Sequence, residues 1–127
     1  MRRARTHAQG IDLPARVSAT ADVAWHLVGL QAQDGRAVAL AVRARTHGLV
    51  AADLTAPVDD GTCVVTWSLR GTRHLHAVED VRPLLALLAG RWLRPTRRAA
   101  DLGIDGAVGR RAVAALRAAL VRGPLTR

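Results

Sequence analysis

Gln31 and Gln33 flank Ala32, just ahead of Asp34 and Arg36. An amide does not titrate near neutrality and cannot act as a general base. Its carbonyl can hold a water and steer it to a reacting carbon, provided the leaving group is already good. An N-alkylated purine is such a leaving group, because its positive charge weakens the glycosidic bond. The sugar then develops oxocarbenium character, which oriented carbonyl dipoles stabilise. This chemistry requires both side chains to aim at one spot. Extended backbone sends residues two apart to the same side, whereas a continuous helix sets them about 200° apart. The plain alternative is polar residues at a solvated helix end.

A second group is Arg70-Gly71-Thr72-Arg73-His74, where arginines and turn amides can grip phosphates. An exposed turn with charged edges that discourage aggregation is the equivalent structural explanation. His74-x-His76 offers half of a metal site, but no third ligand stands at a supporting spacing. No metal site and no cofactor are therefore expected. No Ser-His-Asp order, phosphate-cradling glycine loop or paired-carboxylate site stands out.

The elements that must position these residues read as mostly helical. A basic segment over residues 1–10 ends at Gly10, and Arg2, Arg3, Arg5 and Arg16 are candidates for a basic arm. Ile11 to Arg16, with Pro14, reads as a loop. Ser18 or Thr20 is placed to cap a helix ending near Gly29 or Leu30, with Val23, Leu27 and Leu30 on one face and His26 facing away. A second helix is expected from Arg36 to His47, with Ala37, Leu40, Ala41 and Ala44 inward and Arg36, Arg43 and Arg45 toward solvent. Gly48 is its stop. Leu49 to Leu54 suits a short helix ahead of Pro57, and Asp59-Asp60-Gly61 suits a turn.

Cys63 to Arg70 is the one clear β pattern, turned at Gly71-Thr72 into Arg73 to Ala77. Alternation puts Val65, Trp67, Leu69 and Leu75 on an apolar face. Thr66, Ser68, Arg70, His74 and His76 would form a wet, cationic one. Asp80 is read as the cap of a helix with Val81, Leu84, Leu85 and Leu88 buried and Pro83 in its first turn. Arg91 to Arg98 is a basic connector around Pro95. A last helix spans Gly106 to Arg122, with Val108, Ala112, Leu116, Ala119 and Leu120 inward. Gly123-Pro124 would end it, and Thr126 is placed to cap another helix, so the chain reads as a piece of something longer.

Composition narrows the partner. The chain has 127 residues and a formal charge of +9, and all nineteen basic residues are arginine. Arginine's planar fork matches phosphate oxygens and the guanine edge, and a strongly basic small domain is the electrostatic footprint of nucleic-acid binding. Codon bias toward GC explains arginine over lysine, but less easily the net excess. Nucleic acid is thus expected ahead of an anionic membrane surface, and no apolar run is long enough to span a bilayer. The single Cys63 excludes an internal disulfide and fits a reducing, cytoplasmic setting. With Trp25, Trp67 and Trp92 the only aromatic residues among Phe, Trp and Tyr, the core should be thinly filled.

Gly29-Leu30-Gln31-Ala32-Gln33-Asp34, then Thr66 to Leu75 and the Glu79-Asp80 helix start, resemble the AlkZ-like DNA glycosylases. That resemblance implies tandem winged helices forming a basic channel for duplex DNA, excision of alkylated purines and unhooking of interstrand crosslinks. The family's Gln-aliphatic-Gln catalytic motif maps to Gln31, Ala32 and Gln33. Gly35 stands where members often have proline, and members are about three times longer.

The expected architecture is mainly α with a small β-hairpin, a winged helix over residues 1–90. Residues 91–127 would form a connector and helix leading toward a second winged helix. Gln31 and Gln33 are the candidate catalytic residues, and Arg36, Arg43, Arg70, Thr72, Arg73 and His74 the candidate DNA contacts. A non-catalytic DNA-binding module or transcriptional regulator is the alternative, and the sequence does not fix the oligomeric state.

Overall fold

The computed structural model describes residues 2–11, 17–50, 52–92, 94 and 96–124. Pro14 and Arg16, Pro95, and Thr126 lie outside the described residues, and with them most of the expected first loop, the centre of the connector and the last cap. The chain forms two compact units, Met1–Gly90 and Arg91–Arg127.

The first unit contains helices α1 (Arg2–Ala8), α2 (Thr20–His26), α3 (Gly35–Arg43) and α4 (Ala52–Asp59). Strand β1 (Leu30–Gln31) lies between α2 and α3, and β2 (Cys63–Trp67) and β3 (Arg73–Ala77) follow α4. The sheet is antiparallel in the order β1-β3-β2. The expected hairpin is therefore the larger part of a three-stranded sheet. Helix, short strand, two helices and a hairpin, with the first strand beside the last, is a winged-helix-like arrangement.

The third strand exists because α2 ends earlier than the periodicity suggests. Its last helical residue is His26, Val28 turns to φ 62° and Gly29 to φ 154°. Leu30 then enters the sheet opposite Leu75 rather than closing a helical stripe. Neither Ser18 nor Thr20 caps α2. Ala19 stands at the N-cap without a side-chain bond, while the Thr20 hydroxyl, inside the helix, donates to the Asp53 carbonyl at 3.0 Å.

Helix α3 is capped by Asp34, whose carboxylate accepts from the Arg36 and Ala37 amides at 2.8 and 3.3 Å. Such a cap contributes about 1 kcal/mol. The buried stripe is shifted by one residue from the expected one. Val42 is buried, with Val38 and Ala41 packed beside it, whereas Ala37, Leu40 and Ala44 face solvent. Val38 and Val42 turn inward together, while Leu40, the largest apolar side chain of the expected stripe, stays 66% exposed. Arg45 is half-buried rather than free. Its guanidinium donates to the carbonyls of Gln9 and Ala41, both at 2.6 Å. Burial lowers its pKa from the ordinary arginine value.

Helix α4 does not stop before Pro57 but contains it, at the cost of one intrahelical donor. Thr62 then closes the turn, its amide and hydroxyl donating to Asp60 Oδ1 at 2.9 and 2.7 Å. These bonds lower the pKa of the exposed Asp60 carboxyl.

Strand β2 ends at Trp67, three residues short of the expected end, and a 3₁₀ turn, Leu69–Gly71, leads into β3. The core joins Val23 and Ala24 of α2, Val42 of α3, and Leu30, Ala32, Cys63 and Leu75 from one side of the sheet. Burial, reinforced by Asp60 and Glu79, raises the Cys63 thiol pKa.

The expected wet, cationic face is overturned. His74 and His76 are 3% and 0% exposed, because β3 is the central strand and their ring nitrogens find protein partners. Ser68, expected on the same wet face, is also buried. On the supposed apolar face, Val65 and Trp67 remain exposed.

Helix α5 (Val78–Trp92) starts ahead of Asp80, which puts Pro83 in its second turn. Leu84 is buried, with Val81, Leu85 and Leu88 half-buried. The second unit holds α6 (Arg97–Asp101), a short helix absent from the sequence reading, and α7 (Gly106–Leu120). Thr96 caps the first and Asp105 the second, accepting from Ala99 N at 3.1 Å and Val108 N at 2.7 Å. The apolar stripe expected inward on α7 is not buried. Leu116 and Leu120 are more than half exposed.

Candidate nucleic-acid interface

The geometric fork at Gln31-Ala32-Gln33 resolves as extended backbone. Leu30 and Ala32 point into the core, and Gln31 and Gln33 point out to solvent. The ladder continues one residue past β1, with the Ala32 amide donating to the Arg73 carbonyl at 2.8 Å. Because the side chains alternate, the two glutamines leave the same side and meet. Gln31 Nε2 donates to Gln33 Oε1 at 2.8 Å. Gln31 Oε1 and Gln33 Nε2 have no protein partner among the described residues, so the pair offers a carbonyl acceptor beside an amide donor. That combination can hold and orient one water.

Asp34 is not a spare acid or base, since its carboxylate caps α3. The main chain of Gln33 is held from the neighbouring strand, where Arg73 Nη2 donates to the Gln33 carbonyl at 3.1 Å. Across the ladder His74 is the direct partner of Gln31, and Thr66 the partner of His74, so these three share one side of the sheet. His74 Nδ1 donates to the Thr72 carbonyl at 3.0 Å. Its near-complete burial leaves it unable to lie against a phosphate, as the sequence reading had it. Thr72 is half-buried and closes the turn, its hydroxyl donating to Leu69 O at 3.2 Å.

The other candidate DNA contacts remain accessible. Arg70 sits at the tip of the turn with φ 57°, its side chain exposed. Arg36 and Arg43 are exposed seven residues apart on α3, which is nearly the same azimuth of a helix. Together with Ala39, Leu40 and Leu54 they line a shallow depression.

The buried support of this edge was missed by sequence reasoning. His76 Nδ1 donates to the Val28 carbonyl at 2.7 Å, and the Ser68 hydroxyl donates to His76 Nε2 at 2.7 Å. With Nδ1 bound to a carbonyl it must carry the proton, which makes Nε2 the acceptor. Burial lowers the His76 pKa below the ordinary imidazole value. The bond to Val28 and nearby Asp80 work against that shift, and His74 adds to it.

A β-branched residue at positive φ is strained. The His76 bond holds Val28 in that conformation, three residues before Gln31. Gly29 must be glycine, because a Cβ there would lie 2.5 Å from His76 Cε1. The signal available in the sequence was Ser68 and His76 flanking the turn, but nothing in their spacing reveals that the ring reaches back to residue 28. Among the described residues no group of three or more His, Cys, Asp or Glu gathers as a metal site, and no helix is long and apolar enough to cross a membrane.

Comparison with known proteins adds lineage to this geometry. A family model described as DNA glycosylase AlkZ-like matches residues 24–127. An interstrand DNA cross-link repair glycosylase of Streptomyces sahachiroi is 33% identical over 85 residues, which are 65% of this chain and 23% of that protein. The solved structure of the Streptomyces sahachiroi DNA glycosylase AlkZ matches with a TM-score of 0.63 at 32% identity, covering 72% of this chain and 25% of that one. The chain spans about a quarter of the length of these relatives.

Proposed function

The chain belongs to the AlkZ-like DNA glycosylase family, and from that membership we propose that it binds duplex DNA and carries the glutamine pair of an N-glycosylase acting on alkylated purines. The observation that carries the proposal is the 2.8 Å bond between Gln31 and Gln33. It brings two side chains from one extended segment to a common point, beside the exposed Arg73.

In this reading Arg36, Arg43 and Arg70 hold phosphates and fix the register of the duplex. An N7- or N3-alkylated purine leaves readily as a neutral base, so the enzyme need not protonate it. The C1′–N bond breaks with its electron pair going to the purine, and the sugar becomes an oxocarbenium ion. The Gln31 carbonyl dipole stabilises that cation and accepts a hydrogen bond from the attacking water. Gln33 orients Gln31 and the same water. Water oxygen then bonds to C1′ and the excess proton passes to solvent, because no titrating group is needed at an amide site. Fixed dipoles of this kind contribute about 3 kcal/mol when a single one is removed.

The test is release of N7-methylguanine from duplex DNA by the purified chain and by a longer protein that contains it. Gln31→Ala and Gln33→Ala should each lower the single-turnover rate by at least about 100-fold, while duplex affinity changes by less than about twofold. If release is undetectable from both proteins but binding is tight and salt-dependent, the chain is a non-catalytic DNA-binding module. If neither binds duplex at low salt, the DNA proposal falls.

A further inference from the structure

We infer that Arg73 is a positioning residue for the glutamine pair, holding the main chain of Gln33 so that the two amides stay convergent. The inference rests on the reading of Gln31 and Gln33 as the reacting site and adds a residue to it. An exposed arginine on a hairpin of a basic chain would ordinarily be taken as one more phosphate contact. Its hydrogen bonding points elsewhere.

Strand β1 has only two residues and lies at the edge of the sheet. Main-chain pairing beyond it is one bond, from Ala32 N to Arg73 O. The ladder then stops, and the chain bends into Asp34 at the head of α3. Gln33 lies between these two anchors. Its carbonyl, no longer served by the ladder, takes Arg73 Nη2 at 3.1 Å.

One residue thus holds the main chain of two consecutive residues, with its own carbonyl on the Ala32 amide and its guanidinium on the Gln33 carbonyl. The Gln33 side chain adds three rotatable bonds beyond that carbonyl, so small rotations of the main chain are amplified at Oε1. A planar fork keeps its direction as it donates, and the single ammonium of lysine does not. Placement on the central strand matters too. On one side β3 pairs with β2 over five residues, with Trp67 opposite Arg73, so the support is the best-paired strand of the unit.

The experiment uses the whole chain labelled with ¹⁵N, comparing Arg73→Ala and Arg73→Lys with Arg36→Ala and Gln33→Ala. Three quantities are read. They are the side-chain NH₂ signals of Gln31 and Gln33, the salt dependence of duplex affinity, and the single-turnover release of N7-methylguanine at saturating protein. Expected for Arg73→Ala is collapse of the Gln31 NH₂ signals toward those of a free amide, with the slope of log affinity against log salt unchanged. Release should slow about 10-fold or more, as misplaced reacting groups do. Arg73→Lys should recover only part of the signal dispersion and of the rate, at wild-type thermal midpoint. A purely structural role would not separate lysine from arginine in this way.

The inference is overturned if Arg73→Ala leaves the glutamine signals where they are. It is equally overturned if that variant flattens the salt slope by about 0.9, as loss of one phosphate contact does, with release at saturation unchanged. If wild type and Gln33→Ala release base equally, or neither does, the catalytic reading fails. The amide signals of Arg73→Ala then still decide whether the hold exists.

Discussion

The edge built from Leu30 to Gln33 and the hairpin turn exposes neutral amides and arginines, while α4, packed on the same sheet, exposes carboxylates. Between Ala52 and Asp59 that helix has two aspartates, a proline and no basic residue, and Asp60 follows it directly. Carboxylates at a helix C-terminus add to the negative end of its dipole. In many helix-turn-helix proteins the helix at this place in the order enters the major groove. Here its charge opposes that, whereas the turn presents Arg70 and the β1 edge presents the neutral Gln31 and Gln33. On the proposed function, this unit would meet DNA through its sheet edge and turn, with Arg36 and Arg43 of α3 alongside, while α4 packs against the sheet and the core.

The two regions also differ in how tightly they are built, and glycine substitutions measure that. Gly29→Ala forces a Cβ against the His76 ring at a φ of 154°. The expected loss is about 3 kcal/mol, combining backbone strain with an unrelieved clash. Gly61→Ala, in the turn after α4 at φ 79°, meets nothing within 4 Å and should cost about 1 kcal/mol. Urea unfolding of both variants checks the pair. Equal losses would mean that the elbow before β1 is no more constrained than an open turn.

A smaller effect separates the regions by pH. His76 is held neutral, with its pKa lowered chiefly by burial. The unfolded chain therefore binds a proton at this group more readily than the folded one. Its contribution to stability is complete above the ordinary value of 6.5 and is lost as pH falls from there through the lowered folded pKa. Asp60, on the α4 side, has its carboxyl pKa lowered from 3.8, so its contribution disappears only in far more acid solution. Between pH 7.5 and 5.5 the chain should lose stability through the elbow. His76→Gln, which removes the titration, should flatten that loss while destabilising the protein at pH 7.5 by about 1–2 kcal/mol. An unchanged pH slope in the variant would move the acid sensitivity elsewhere.

These contrasts also show what the sequence made legible. Helical periodicity gave α3 and α5, alternation gave the hairpin, and spacing gave the two possible geometries of the glutamine pair. Three things lay beyond it. Strand β1 is too short to carry a pattern, and it forms where α2 ends early beside the free edge of β3. The rotation of α3 by one residue buries Val42 and packs Val38 while leaving Leu40 exposed, a choice that apolarity along the helix does not rank. Burial of His74 and His76 depended on partners at residues 28, 68 and 72. A polar residue in alternation looks the same whether water or a distant carbonyl satisfies it. The glutamines were legible as a pair only on the extended branch of that fork, since period two leaves neighbours but one on a common side in a strand and not in a helix. Arg73 was legible as a cation but not as a partner of residue 33, since that pairing is created by the sheet.

The smallest expected effect is the most direct test of which side meets the duplex. Arg36→Ala should lower the slope of log affinity against log salt by about 0.9, the signature of one lost phosphate contact. Asp59→Asn removes a negative charge of similar exposure from the end of α4. If that end lies more than a Debye length from the backbone, about 10 Å at 0.1 M salt, the change in duplex affinity should be less than about 1.5-fold and the slope should not move. A gain of fivefold or more, growing as salt is lowered, would place α4 against phosphate and reverse the comparison. Measuring Asp59→Asn in an Arg36→Ala background as well separates the two. Independent effects mean that the substitutions act through different parts of the surface, whereas a gain seen only when Arg36 is present means that the aspartate acts by weakening that arginine's own contact.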